Sequence, residues 1–93
     1  NATLKSLDLN SNRIGNEGAA ALAKGLEVNA TLKVLDVARC GIGDQGAVAL
    51  ANALMVNATL NKLDLRFNPF LGDAGQKSVK DAVAARQGFE MQL

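Results

Sequence analysis

Three aspartates, Asp8, Asp36 and Asp64, recur along the chain at equal spacing, and each lies between two aliphatic residues. A row of carboxylates can bind basic groups of a partner or, with further oxygen ligands, a divalent cation. One carboxylate per segment gives a line of charges rather than a cage of ligands, so we predict no metal site. The row is a candidate binding surface for a partner with basic groups. The alternative is a solvated face whose charges are balanced internally.

Cys40 is the single cysteine of the chain, and there is no histidine. A nucleophilic thiol needs a base, and zinc sites use several cysteines or histidines. We therefore predict neither catalysis nor zinc binding, and we interpret Cys40 as a small buried group. Small secreted domains usually depend on several disulfides, which one cysteine cannot supply, so a cytoplasmic location is favoured.

Gly41, Gly43 and Gly46 match the letters of a dinucleotide-binding fingerprint, GxGxxG. Only the last two of these glycines have counterparts elsewhere, at positions 15 and 18 and at positions 72 and 75. Glycines that recur with a repeat serve turns and helix starts first. We therefore interpret them as scaffold residues and predict no cofactor.

The tetrapeptide NATL occurs three times and marks a repeat within a single predicted domain, 1–93. The copies span 1–28, 29–56 and 57–85, with a tail at 86–93, and the third copy gains one residue near Pro69. Asn1, Asn29 and Asn57 also fit the acceptor pattern for N-linked glycans. We interpret Asn29 and Asn57, which follow a helix, as residues that end it in the left-handed conformation, which asparagine tolerates.

Each copy has two halves with different hydrophobic periods. The first half ends with a period of two, as in Leu7 and Leu9, which is typical of a short strand with one face inward. In the second half, apolar or small residues recur at helical spacing from Gly18, Gly46 and Gly75 onward. One strand and one helix cannot bury both apolar faces alone, whereas stacked copies can. We predict an α/β solenoid with a short parallel sheet, outer helices and right-handed crossovers.

The spacing LxxLxLxxN/CxIG followed by a helix resembles the leucine-rich repeat family, with Asn12, Cys40 and Asn68 in the N/C slot. The 28-residue period and the helical outer side resemble the ribonuclease-inhibitor-like subclass. Similar repeats occur in NOD-like receptors and in Ran GTPase-activating proteins. The resemblance implies a right-handed βα solenoid that acts by binding other proteins. It leaves an accessory GTPase-regulating role as an alternative.

Side chains alternate along a strand, so the aspartate row faces away from the core, on the open concave face. Adjacent carboxylates about 4.8 Å apart repel by about 1 kcal/mol in water, so nearby cations should offset them. Arg66 lies on the same face, and Arg39 and Lys62 are nearby in sequence. The predicted binding face has three rows: Ser6, Val34 and Lys62; Asp8, Asp36 and Asp64; and Asn10, Ala38 and Arg66.

Charge and hydropathy exclude two classes of partner. Ten basic and nine acidic residues are interspersed and leave a net charge of +1. Nucleic-acid binding usually requires a basic patch or stripe, so we predict no nucleic-acid partner. The longest nearly apolar run, 47–56, is half of the roughly 20 residues that a membrane span needs, so we predict no membrane segment. The family resemblance implies a protein partner instead.

The two ends of the predicted stack differ. Gln76, Lys77 and Lys80 replace the small residues of the earlier helices, which indicates that no fourth helix follows. The tail offers apolar side chains to cover the core edge, namely Phe89, Met91 and Leu93. The first copy has no such cap, which predicts upstream repeats in a longer protein or self-association through 1–28.

Composition and spacing predict the scaffold, and the family resemblance implies its role: a non-catalytic protein–protein interaction module, the C-terminal part of a longer protein, that binds a partner on its concave face. The alternative is a structural or self-associating capping fragment without a ligand.

Overall fold

The computed structural model describes residues 4–93 and has one strand and one helix per repeat, followed by a fourth strand. The elements are β1 Ser6–Asp8, α1 Gly15–Val28, β2 Val34–Asp36, α2 Asp44–Leu54, β3 Lys62–Asp64, α3 Asp73–Val83 and β4 Glu90–Gln92. The strands form one parallel sheet in the order of the sequence, and α2 packs between α1 and α3. The predicted solenoid of parallel strands and outer helices is confirmed.

The first turns of α2 and α3 are capped by the preceding repeat. Oδ1 of Asn16 accepts the backbone N–H groups of Gly43 at 2.8 Å and Gly46 at 2.9 Å. Asp44 caps α3 in the same way, through two backbone N–H groups at 2.8 and 3.1 Å. The first N–H groups of a helix have no partner within it, so a cap from the neighbouring repeat satisfies them. All three helices begin before the glycines 18, 46 and 75 where the sequence placed their starts.

Two glycines allow neighbouring helices to approach closely. A Cβ added to Gly46 would lie 2.9 Å from Cβ of Ala19, and one added to Gly75 would lie 3.1 Å from Cβ of Ala47. The interpretation of these glycines as scaffold residues is confirmed.

The asparagine of the third NATL joins its repeat to the preceding ones through its side chain. Nδ2 of Asn57 donates to Leu26 O at 2.8 Å and Asn29 O at 3.0 Å, and its Oδ1 accepts the N–H groups of Thr59 and Leu60 at 2.9 Å. The predicted left-handed conformation is wrong, because Asn29 is extended (φ −86°, ψ 132°) and Asn57 has no positive φ. The amide, rather than a permissive backbone, explains why asparagine occupies this slot.

These contacts bear on the glycan acceptor pattern. Asn57 is only 5% exposed, and its Nδ2, the atom to which a glycan would be attached, is engaged in two hydrogen bonds. A glycan there is incompatible with the packing of the repeats. Asn29 is half-buried, and its Oδ1 accepts the N–H groups of Thr31 and Leu32. Asn1 lies outside the described residues.

Asn68 is a second buried asparagine, and it connects the second and third repeats. Its Oδ1 accepts the N–H groups of Cys40 at 2.9 Å and Ile42 at 3.0 Å. Its Nδ2 donates to Val37 O at 3.1 Å and Leu65 O at 2.8 Å. One side chain therefore satisfies buried backbone groups of two repeats.

Cys40 occupies the equivalent slot one repeat earlier and is fully buried. Its Sγ donates to Leu9 O at 3.0 Å. Burial raises the pKa of the thiol, which keeps it protonated and unreactive. The interpretation of Cys40 as a small buried group is confirmed.

The tail adds a strand that the sequence analysis did not predict. Strand β4 pairs with β3 so that Met91 lies beside Leu63, and Phe89 and Met91 pack against the core. Arg86 takes the slot of the NATL asparagines and donates to three backbone carbonyls. These are Leu54 O at 3.4 Å, Asn57 O at 3.1 Å and Leu60 O at 2.5 Å.

Candidate protein-binding face

The structure brings the predicted rows of the concave face together in register. Strand pairing aligns Ser6, Val34 and Lys62 in one row and Asp8, Asp36 and Asp64 in the next. Strand β4 extends these rows with Glu90 and Gln92, which sequence reasoning did not include.

Each aspartate of the row shapes the turn that follows its strand. Its Oδ1 accepts the backbone N–H two residues later, in the pairs Asp8 with Asn10 (2.9 Å), Asp36 with Ala38 (3.0 Å) and Asp64 with Arg66 (3.0 Å). The next residue has a positive φ in every repeat, namely Ser11, Arg39 and Phe67. A short acceptor side chain commonly closes such a turn. The recurrence of aspartate therefore has a local structural cause, which the sequence analysis missed.

The nine predicted positions differ in accessibility. Asp8 is exposed and Asp36 is half-buried, but Asp64 is 4% exposed and Ala38 is 2% exposed. The expectation that all nine line an open face is therefore wrong for Ala38 and Asp64. Asp64 is covered by Arg66, whose guanidinium binds it at 2.9 Å.

The pKa of the Asp64 carboxyl is lowered below its usual value of 3.8. Burial alone would raise this pKa, but the side-chain and backbone hydrogen bonds from Arg66 and the positive charges of Arg66 and Lys62 outweigh it. The predicted compensation of the aspartate row by Arg66 is confirmed at this end of the sheet.

Replacing Asp64 with asparagine should make the free energy of unfolding depend less on pH in the acidic range. Because the folded pKa is lowered, the stabilisation is present above pH 3.8 and is lost as the pH falls through the folded pKa. Urea unfolding followed by circular dichroism between about pH 2 and 7 measures this slope. Asp73→Asn, at an exposed carboxylate, is the control. Equal slopes below about pH 4 for wild type and Asp64→Asn would contradict the assignment.

The other two cations expected to balance the aspartate row have different partners. Nζ of Lys62 lies 3.6 Å from a carboxylate oxygen of Glu90. Arg39 stacks over the ring of Phe67, with 4.5 Å between its Cζ atom and the ring centroid. Within residues 4–93, Asp8 and Asp36 therefore have no ion pair.

Two other features are absent from residues 4–93, a metal-binding cluster and a membrane-spanning helix. No group of three or more cysteine or acidic side chains is arranged to hold a metal ion there. None of the described helices has the length and hydropathy needed to cross a membrane.

A family model described as Leucine Rich repeat matches residues 1–23, 28–51 and 56–79. Each match covers the strand and most of the helix of one repeat. The chain belongs to the leucine-rich repeat family. Leucine-rich repeats are generally protein–protein interaction modules, which agrees with the predicted class of function. No curated protein matches the chain.

The first leucine-rich repeat leaves an apolar flank open. A groove of about 570 Å³ lies on this flank, with Leu4, Leu7 and Leu22 among its lining residues. Side chains of the preceding repeat cap α2 and α3, whereas no side chain within residues 4–93 caps α1 in this way. Within residues 4–93, β1 pairs only with β2, and its Leu7 lines this groove.

A second surface lies at the far end of the concave face, and sequence reasoning missed it. Phe67 and Phe70 are 62% and 74% exposed. A groove of about 400 Å³ beside them is lined by Leu65, Leu71 and Leu93, among others. The signal was present in the repeat alignment, where Phe67 occupies the slot of Ser11 and Arg39 in the turn.

Proposed function

We propose that this leucine-rich repeat chain is a non-catalytic interaction module that binds a protein partner on its concave face. The observation that carries this proposal is the pair Asp8 and Asp36. They lie side by side on adjacent strands, and no described cation forms an ion pair with either. Adjacent carboxylates repel by about 1 kcal/mol in water, and more where a partner excludes water. A lysine or arginine of the partner would remove this repulsion.

The concave face also has an electrostatic gradient that favours one orientation of the partner. Its C-terminal half is neutralised within the chain by the pairs Arg66–Asp64 and Lys62–Glu90. Its N-terminal half retains Asp8 and Asp36, neither of which forms an ion pair within residues 4–93. Complementary charge favours the correct encounter and rejects the wrong one. The basic groups of the partner would therefore lie over β1 and β2.

The double variant Asp8→Asn/Asp36→Asn tests this proposal. Asparagine keeps the Oδ1 acceptor that closes each turn, so the fold should survive while both charges are lost. The immobilised variants and wild type would be compared for the proteins that they retain, identified and quantified by mass spectrometry. We expect the double variant to retain at least about tenfold less of a partner than wild type does. The affinity of wild type for that partner should fall as the salt concentration rises.

Glu17→Gln/Glu27→Gln is the matched control, because it removes the same number of charges from exposed residues of the outer helix α1. Equal loss in both double variants would indicate a nonspecific charge effect. If Asp8→Asn/Asp36→Asn retained every partner that wild type retains, concave-face binding would be refuted.

The proposal extends to the place of this chain in a longer protein, of which it would be the C-terminal part. The open flank of the first repeat supports further repeats before residue 1. Exposed polar residues on α3, including the Lys77–Asp81 pair at 2.7 Å, and the β4 tail support a stack that ends here. The 28-residue period supports the ribonuclease-inhibitor-like subclass. The buried, unpaired Cys40 supports a reducing, cytoplasmic location.

Self-association is the second candidate, because the apolar flank of the first repeat could equally be covered by another copy. Sedimentation equilibrium of wild type and Val28→Lys separates the two cases. Val28 lines the groove and is 87% exposed, so a lysine there should not disturb the fold. A wild-type dimer that Val28→Lys converts to a monomer would support self-association, and a wild-type monomer in dilute solution would exclude it.

A further inference from the structure

We propose that Phe67 and Arg39 form a second binding site, which takes an acidic protein segment carrying an apolar side chain. The site lies in the turns after β2 and β3 and includes none of the nine concave positions. It therefore goes beyond the concave-face function and can be tested separately from it.

Two phenylalanines are exposed to solvent in or next to the turn after β3. The chain has three phenylalanines, and the third, Phe89, packs against the core beneath Arg86, whose Cζ lies 4.8 Å from its ring centroid. Phe67 and Phe70 instead turn most of their surface to solvent. Aromatic residues and arginines are enriched among the residues that contribute most to protein interfaces.

The backbone at Phe67 has a conformation that is unusual for a bulky residue. Its φ is +62°, in the left-handed region, where a bulky side chain is unusual and asparagine or glycine is favoured. The ring is not used to fill the core, so folding gives no reason to keep phenylalanine in this conformation. The turn of every repeat has this conformation, at Ser11 and Arg39 as well, so what distinguishes position 67 is the large exposed aromatic side chain placed there.

Arg39 determines the charge of the partner. Its guanidinium stacks on Phe67 and forms no ion pair with a described carboxylate, whereas the guanidinium of Arg66 is bound to Asp64. A guanidinium whose Cζ lies over a ring can still donate N–H groups from its edge to a carboxylate. An acidic residue of the partner would supply the carboxylate that Arg39 lacks.

The groove beside Phe67 determines the second feature of the partner. It measures about 400 Å³, and Leu65, Leu71 and Leu93 contribute to its lining together with the ring. This volume is at the small end of the range for ligand pockets. An aliphatic or aromatic side chain would occupy it and cover the exposed face of Phe67.

Single-stranded RNA also stacks on aromatic rings near arginines. The charges around Phe67 indicate whether RNA or an acidic peptide fits this site better. A nucleic-acid groove needs several free cations along the backbone path. Here Arg66 and Lys62 are already paired, which leaves Arg39 as the cation stacked on Phe67 that has no ion pair within residues 4–93. An acidic peptide therefore fits better.

The test is fluorescence anisotropy with a labelled decapeptide of glutamates around two central leucines. Matched probes replace the leucines with alanines or the glutamates with lysines, and an oligouridine of equal length represents RNA. The variants are Phe67→Asn, which suits the positive φ, and Arg39→Gln. Met55→Gln is the control at another exposed apolar residue. The chain contains no tryptophan or tyrosine, so a labelled probe is required.

We expect the acidic leucine peptide to bind wild type and Met55→Gln equally. Phe67→Asn and Arg39→Gln should each weaken binding by about tenfold or more, without lowering the midpoint of urea unfolding. Unchanged binding in both variants would overturn the proposal, as would tighter binding of oligouridine or loss of folding in Phe67→Asn. A wild-type dimer that becomes monomeric in Phe67→Asn would also overturn it. Retention of the concave-face partner by Phe67→Asn would show that the two sites are separate.

Discussion

Replacing Asn68 with alanine is expected to lower the free energy of unfolding by about 3–5 kcal/mol, a large share of the stability of a small domain. Asn68 is 6% exposed and engages backbone groups of two repeats. Alanine would leave the N–H groups of Cys40 and Ile42 without their acceptor. It would also leave Val37 O and Leu65 O without their donor. Each buried, unsatisfied polar group costs about 1–3 kcal/mol.

The repeat itself supplies the control. Asn12 occupies the same slot in the first repeat, and its Nδ2 donates to Leu9 O at 3.1 Å in the manner of Asn68. Asn12 is exposed, so water can replace the lost bonds, and Asn12→Ala should cost about 1 kcal/mol or less. Asn68→Cys should fall between the two, because Cys40 fills this slot with a weaker donor. Urea unfolding followed by circular dichroism gives all three values.

Equal effects of Asn68→Ala and Asn12→Ala would contradict the view that this slot stabilises the stack by joining repeats. If Asn68→Ala fails to fold, Asn68→Cys still gives a value to set against Asn12→Ala.

The repeat made the sheet predictable in detail. Leu7, Leu35 and Leu63 align in the structure because the same spacing of leucines places the same side chain in the core of every copy. Shifting one strand by a single residue would expose its leucines, so the hydrophobic pattern fixes the register. The rows of the concave face follow from that register.

Contacts between repeats could not be predicted in the same way. Asn16 and Asp44 cap the helices that follow them by more than twenty residues, and nothing in the local sequence indicates that reach. The burial of Asp64 likewise depends on the position that Arg66 adopts, which spacing alone does not determine. The predicted face therefore contained the correct strands but included two positions, Asp64 and Ala38, that are covered.

The tail illustrates a different difficulty. Its residues were expected to cover the core, and Phe89 and Met91 do so. The strand around Met91 was missed because the tail follows the repeat only loosely: Arg86 replaces asparagine and Phe89 replaces leucine. Neither substitution preserves the letters of NATL, but both preserve its chemistry, a donor to backbone carbonyls followed three residues later by an apolar side chain.

Replacing Arg86 with methionine is expected to lower the free energy of unfolding by about 2–4 kcal/mol and to release β4. Methionine keeps an aliphatic stem above Phe89 but cannot donate to Leu54 O, Asn57 O or Leu60 O. Carbonyl groups at the end of a helix need such a donor. Without it, the tail would lose its attachment to the end of α2 and to the NATL segment.

Hydrogen exchange at the backbone N–H of Leu65 measures the release of β4, because this N–H donates to Gln92 O at 2.8 Å. Protection there should fall in Arg86→Met, while protection of the N–H of Val37, which donates to Asp64 O at 2.9 Å, should change less. Arg86→Asn should recover part of the loss, because Asn57 binds the equivalent carbonyls Leu26 O and Asn29 O with its amide.

Arg13→Met is the matched control, because Arg13 is exposed and forms no ion pair with a described residue. It should change stability by less than about 0.5 kcal/mol. If Arg86→Met were no more destabilising than Arg13→Met, the arginine could not be the residue that fastens the tail. Hydrophobic packing of Phe89 and Met91 would then hold β4 alone. The expected order of stability is wild type, then Arg86→Asn, then Arg86→Met, because only an amide or guanidinium can donate to the carbonyls of Leu54 and of the NATL segment that follows α2.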